Sequence, residues 1–135
     1  MSESAQHQQM ANMIIDKVID IVGKDNQCFI MSDLADGYEL SPLMAEGYRP
    51  DVYYQYKNTL IIGEAKTSKD VPLIHSRLQY ESYIKKCSLF SGNSILIVAV
   101  PWTEHAMIHN ILRKLKLKYP GNYKIQILDG MGGAI

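Results

Sequence analysis

Asp51, Glu64 and Lys66 are the residues of this chain whose types and spacing could do chemistry. The segment 51–66, Asp-Val-Tyr-Tyr-Gln-Tyr-Lys-Asn-Thr-Leu-Ile-Ile-Gly-Glu-Ala-Lys, reads as two strands joined at Lys57-Asn58. With a two-residue hairpin loop, a common connection, Tyr56 pairs with Thr59 and the register runs outward to Asp51 opposite Glu64. Their Cβ atoms then lie about 5 Å apart on one face. Lys66 points to that same face, because strand side chains alternate with period two. Like charges directly opposite one another are destabilising. Two carboxylates held beside an ammonium make sense when a hard cation joins them, since Mg2+ takes one or two carboxylates plus water and phosphate oxygens. In outline this is the chemistry of metal-dependent phosphodiester cleavage.

The elements that hold these residues follow from periodicity and punctuation. Met10, Ile14, Val18, Ile21 and Val22 recur at three-to-four spacing, so a helix is expected from about Ala5 to Val22, stopped by Gly23. Gln27 to Met31 reads as a short strand, and 32–47 as a loop-rich connection with a helical turn near Leu43–Glu46. The hairpin occupies about 50–56 and 59–66. Val71 to Leu89 reads as a second helix with Pro72 in its first turn, and Ser94 to Val100 as a buried strand closed by Pro101. Thr103 is the expected N-cap of a third helix that Pro120-Gly121 stops, and Lys124 to Leu128 makes a last strand. The order α-β-β-β-α-β-α-β predicts an α/β fold, a mixed central sheet flanked by helices. It forms one domain, 1–135, with 129–135 as a loose Gly-rich tail.

Pro50-Asp51, twelve residues, and then Glu64-Ala65-Lys66 resembles the signature of the PD-(D/E)XK nuclease superfamily. Gln79-Tyr80-Glu81-Ser82-Tyr83 fits the Gln-x-x-x-Tyr element of that superfamily's exonuclease and recombination-nuclease branch. The motifs cover Arg49 to Tyr83, and the element order extends the likeness over most of the chain. The resemblance implies a restriction-endonuclease-like fold and a Mg2+ or Mn2+ cofactor held by Asp51, Glu64 and the backbone carbonyl of Ala65. Lys66 would orient or activate the attacking water, and the cation would generate hydroxide and polarise the phosphoryl oxygen.

Helical geometry gathers Leu73, Tyr80, Ile84 and Cys87 into a buried stripe, with Gln79, Tyr83 and Ser76 at its edge and His75 and Lys86 extending the polar strip. A stripe edge over a sheet looks into a cleft. The resemblance makes Gln79 and Tyr83, with His75 and Lys86 beside them, supports for the site or for substrate phosphate. Members of the superfamily commonly carry a further carboxylate, or in the exonuclease branch a histidine, on the first helix. Asp16 and Asp20 fall on the face opposite the apolar stripe. His7, on the apolar side near the terminus, and Glu39 and Glu46, in the connection before the hairpin, are the unranked candidates for an extra ligand. His105 and His109 have a zinc-compatible i, i+4 spacing but lack the glutamate of the metalloprotease motif.

Composition sets the frame. The 135 residues suit one domain with its own core, at 47% hydrophobic and 21% charged. The longest apolar run, Ile95 to Val100, is too short to span a bilayer. The N-terminal segment has no basic-then-apolar leader pattern. Cys28 and Cys87 lack a Cys-x-x-Cys pairing, so reduced, buried thiols in a cytoplasmic protein are expected. Net charge is zero, with a balance of −6 over residues 1–56 and +6 over 57–135. A local basic surface of that kind serves nucleic acid or simply solvates a helix.

These readings converge on a metal-dependent deoxyribonuclease. The alternatives are a catalytically silent nucleic-acid-binding module with the same fold, and a structural or protein-interaction domain. One small domain offers one cleft and cutting two strands needs two, so a homodimer is expected. Its contact surfaces would be the hairpin aromatics Tyr53, Tyr54 and Tyr56 and the segment around Leu43-Met44.

Overall fold

The run of β-branched and aromatic residues on either side of Lys57-Asn58 builds the centre of a five-stranded sheet. The computed structural model describes residues 5–129. Strands β1 (Ile30–Ser32), β2 (Val52–Tyr56), β3 (Thr59–Ala65), β4 (Asn93–Ala99) and β5 (Lys124–Leu128) lie side by side in chain order. The pairs β1/β2 and β2/β3 are antiparallel, and β3/β4 and β4/β5 are parallel. The hairpin has the register expected of a two-residue loop, from Val52 opposite Gly63 to Tyr56 opposite Thr59. Lys57 takes the left-handed conformation that such a turn demands, with φ 53°.

Helices α1 (Ala5–Val22), α2 (Ile74–Leu89) and α3 (His105–Lys118) flank the sheet. Strand alternation sorts its side chains into two cores. Val52, Tyr54, Ile61, Ala65, Ile97 and Ala99 pack against Met10, Ile14, Ile15 and Val18 of α1. Tyr53, Leu60, Ile62, Leu96, Val98, Ile125 and Ile127 pack with Tyr80, Tyr83 and Ile84 of α2 and Ile108 and Leu112 of α3. Parallel β3 and β4 are thus covered on both faces, as parallel strands require.

Gly63 sets how closely α1 approaches. A Cβ added there would come within 2.5 Å of Ile14 Cγ2 and 3.2 Å of Val52 Cβ. Gly63→Ala should therefore cost about 1–3 kcal/mol, the usual penalty of overpacking. Urea unfolding should show the loss reduced when Ile14→Leu, which removes the Cγ2 methyl, is added. Equal losses in the presence and absence of Ile14→Leu would mean that the two residues do not compete for the space.

Several local expectations give way. Residues 24–29 form a 3-10 turn rather than a strand. There the amide of Asn26 donates to the Val22 carbonyl (2.9 Å) and that of Gln27 to Tyr38 Oη (2.9 Å), local bonds that compete with a strand ladder. Pro72 precedes α2, whose N-cap is Leu73. Thr103 does not cap α3, because Trp102–Glu104 make a 3-10 turn first and the Thr103 hydroxyl donates to Glu104 (3.1 Å). Cys87 is buried but Cys28 is exposed. The hairpin tyrosines are not a free surface: Tyr53 and Tyr54 are core residues, and Tyr56 stacks on Phe29 with ring centroids 3.8 Å apart. Helices cover both faces of β2, so Tyr53 and Tyr54 have no surface to give to a partner. Met44 is likewise buried, and Leu43 alone of that pair stays exposed. Asp129 is buried and bonded to His105, so it belongs to the fold; residues 130–135 of the expected tail lie outside the described residues. Among the described residues no helix is long and apolar enough to cross a membrane.

Candidate active site

The candidate residues gather at the carboxyl end of β3, where the strand stops and α1, α2 and the connection before β2 come together. Asp51 precedes β2 by one residue and Glu64 is the penultimate residue of β3, so both lie at the end away from the turn. The main chain and the carboxylates brace each other. Asp51 N–H donates to Glu64 Oε1 (3.3 Å), and Ala65 N–H donates to Asp51 Oδ2 (2.9 Å). The Asp51 main chain is also pinned from the edge strand, where the Ser32 hydroxyl donates to its carbonyl (2.8 Å). The Ser41 hydroxyl donates to the Pro50 carbonyl, and Arg49 reaches back to the Ser41 carbonyl. Three polar contacts from the 32–49 connection thereby hold the Pro50-Asp51 corner.

Glu64 is nearly closed off, at 2% exposure. From α2, Tyr83 Oη donates to Glu64 Oε1 (3.1 Å), and Lys66 Nζ lies 3.2 Å from Oε2. Burial, with the negative charge of Asp51 second, pushes the Glu64 carboxyl up to about 8; Lys66 and the Tyr83 hydroxyl pull the other way and do not prevail. Burial, followed by the Glu64 charge, also raises the Tyr80 and Tyr83 phenols, which stay protonated, and that of Tyr83 is the one that donates to Glu64.

His7 completes the cluster from the opposite face. It continues the stripe of Met10, Ile14 and Val18 one turn toward the N-terminus, and the close seating of α1 over Gly63 brings its ring to the end of β3. His7 Nε2 is 2.9 Å from the Ala65 carbonyl oxygen and 3.2 Å from Asp51 Oδ2. A carbonyl only accepts, so Nε2 carries the proton and His7 is a donor here rather than a cation ligand at that nitrogen. The Ala65 carbonyl keeps its second lone pair.

The other expected residues divide. Gln79 is buried at 8% exposure with no partner for Oε1 among the described residues, and Tyr80 Oη is in the same position. Two buried, unsatisfied polar atoms on the helix of Tyr83 are costly by themselves; Gln79 Oε1 can accept from a water, and the Tyr80 hydroxyl can donate to one. His75 is exposed with its ring edge against Tyr48 (5.4 Å), and Lys86 is also exposed. Glu39 and Glu46 are not brought to the cluster. The Glu39 carbonyl accepts from Ser32 N–H, and its side chain lines a separate cavity of about 730 Å3 with Gln27, Asp36 and Gln55. That cavity is lined by neither Asp51 nor Glu64. Glu46 is taken up by the Ser82 hydroxyl and by Lys85 (3.7 Å) on the outer side of α2.

Ser32, Ser41 and Tyr80 were not among the expected site residues. Their contribution rests on contacts across long stretches of chain that no spacing rule reports. Comparison of the chain with models of known families, with curated proteins and with solved structures finds no match.

Proposed function

We propose that this chain is a metal-dependent DNA nuclease with a restriction-endonuclease-like fold and a site of the PD-(D/E)XK kind. The observation that carries the reading is the convergence of Asp51, Glu64 and Lys66 at the carboxyl end of a central strand, joined there by Tyr83. The donor set fits a hard cation. It offers two carboxylates and a backbone carbonyl, and the carboxyl of Glu64 resists ionisation until a positive charge arrives. No group of three or more His, Cys, Asp and Glu side chains among the described residues makes a cage of its own. Asp51, Glu64 and the Ala65 carbonyl would therefore hold a Mg2+ or Mn2+ that keeps several waters. When bound, that ion supplies Lewis-acid stabilisation of the phosphoryl oxygen and a nucleophile at neutral pH.

The remaining parts are the work of the chain itself. The Lys66 ammonium, 13% exposed and 3.2 Å from Glu64, stands where it can hold the attacking water and steady charge developing on the phosphate. Tyr83 fixes the Glu64 carboxylate by its hydroxyl. His7 fixes Asp51 and Ala65 from the far face. Gln79, four residues before Tyr83 on α2, has a buried Oε1 suited to accept from a water.

A panel of labelled single-stranded, blunt, overhanging and branched DNA, incubated with Mg2+, Mn2+ or EDTA, tests the reading. Wild-type protein should cut at least one form only with metal, and Glu64→Ala should not. Binding with a steep salt dependence but no cutting would indicate a silent DNA-binding module. Neither binding nor cutting would indicate an interaction domain. Cleavage at full rate by Glu64→Ala would sink the assignment of the site.

A further inference from the structure

Trp102 lies at the same end of the sheet as the carboxylates and is 66% exposed. An isolated exposed apolar side chain is ordinary, so the argument rests on where this one is and how it is held. Lys66 N–H donates to the Ala99 carbonyl (3.0 Å), which carries the β3/β4 register one step past the strands and sets Lys66 level with Val100. Val100 packs in the α2/α3 core, so Lys66 and Glu64 look toward that side of the sheet. The chain then runs through extended Pro101 directly into Trp102. Neighbouring strands are about 4.8 Å apart and advance about 3.3 Å per residue. The backbone of Trp102 is therefore within roughly 10 Å of that of Lys66, about the span of one nucleotide of extended strand.

The platform is also stiff. Pro101 is fixed at φ −61°, and Glu104 N–H closes the 3-10 turn on the Pro101 carbonyl (2.9 Å). One turn further on, His105 Nδ1 is bonded to the buried Asp129 carboxylate. Its Nε2 is thus the ring nitrogen that faces away from that acid. The backbone that carries the indole is thus braced, and the exposed indole offers an apolar face at the end of the sheet where Lys66 supplies an ammonium. Those are the parts that take a nucleobase and its flanking phosphates.

We propose that the DNA bound at this site has unpaired bases, and that Trp102 is the surface on which the base next to the scissile phosphate stacks. The inference rests on the nuclease reading above and deepens it. Inside a duplex both faces of a base are already stacked, so only a single strand, an overhang or a frayed end can offer one to the indole.

The chain has a single tryptophan, so its intrinsic emission reports on this side chain alone. Oligothymidine added in EDTA, where nothing is cut, should quench that emission saturably, whereas a covalently closed circular duplex, which has neither ends nor loops, should not. By anisotropy of the labelled oligomer, Trp102→Ala should bind about 10- to 100-fold more weakly and Trp102→Phe close to wild type, the range expected for loss of one base–aromatic stack. Because the side chain is exposed, both variants should melt as wild type does.

Three results would overturn the proposal. They are oligothymidine binding without quenching, equal quenching by the closed duplex, and unchanged affinity in Trp102→Ala. A change of oligomeric state in Trp102→Ala with DNA affinity intact would assign the indole to a protein contact and overturn it as well. Quenching and weakened Trp102→Ala binding in a protein that cuts no DNA with either metal would uphold the stacking role and bring down the nuclease reading. No binding of any DNA form would bring down both.

Discussion

Lys66→Ala is expected to lower the rate of DNA cleavage by about 10²–10⁴, the usual cost of losing a group that positions or deprotonates a nucleophile. The fold should survive. Lys66 lies just past the end of β3, and its ion pair with Glu64 is its one polar side-chain contact among those described. Binding of Mn2+, followed by calorimetry or by the rise in melting temperature, should persist, because removing an ammonium from beside two carboxylates does not remove a ligand. DNA affinity in EDTA should change little. This pattern differs from that of Glu64→Ala, in which metal affinity and rate should fall together. Wild-type cleavage by Lys66→Ala would refute the role given to Lys66 even with the fold intact. An unfolded Lys66→Ala would instead make the lysine a structural counter-charge to Glu64 and strengthen the silent-module reading.

How much of this site could be read beforehand depends on how local its causes are. The opposition of β2 and β3 follows from a two-residue turn and a period of two, and the observed register matches residue by residue. Asp51 and Glu64 are legible for that reason. The direction of the Asp51 carboxylate is not. It runs to the Ala65 N–H and to His7 rather than simply lying beside Glu64, because the strand has ended and a free main-chain donor is within reach.

His7 was visible only as a position on the apolar side of the first helix. Bringing its ring to the Ala65 carbonyl depends on how α1 is seated, and that follows from the missing side chain at Gly63, fifty-six residues away in sequence. The hairpin tyrosines misled because aromatic, amphipathic strand residues look alike whether their strand is interior or at an edge. Tyr53 and Tyr54 are buried by the helices laid over the two faces of the sheet, α2 and α3 against Tyr53 and α1 against Tyr54, while β1 closes the edge of β2. Tyr83 and Gln79 stand between these cases. Their spacing put them at the edge of the buried stripe, but which one would donate to Glu64 depended on how α2 lies across β3.

The state of Glu64 makes stability the second large readout, and one that needs no substrate. Its folded carboxyl is raised from 4.5 to about 8, chiefly by burial and next by Asp51. A raised acid favours the folded state most while it is protonated. Its contribution is complete below pH 4.5 and is lost as the pH climbs through about 8, at about 1.4 kcal/mol per unit of difference between the folded and unfolded values. In EDTA, wild-type protein should therefore lose a few kcal/mol, in order of magnitude, between pH 5 and pH 9 on this account. Glu64→Gln keeps the size of the side chain and an oxygen for the Tyr83 and Asp51 donors, but it has no proton to lose. Groups distant from Glu64 titrate alike in both proteins, so the difference between their urea-unfolding curves reports Glu64 together with the Asp51 and Lys66 charges that act on it. That difference should be small at pH 5 and should grow in favour of Glu64→Gln toward pH 9. Millimolar Mg2+ should restore much of the wild-type loss, because a bound cation favours the carboxylate, and should leave Glu64→Gln unmoved. Parallel curves for the two proteins from pH 5 to pH 9, with and without Mg2+, would mean that Glu64 ionises at no cost in the folded chain. The pair of buried carboxylates would then no longer be a reason to place a cation at the end of β3.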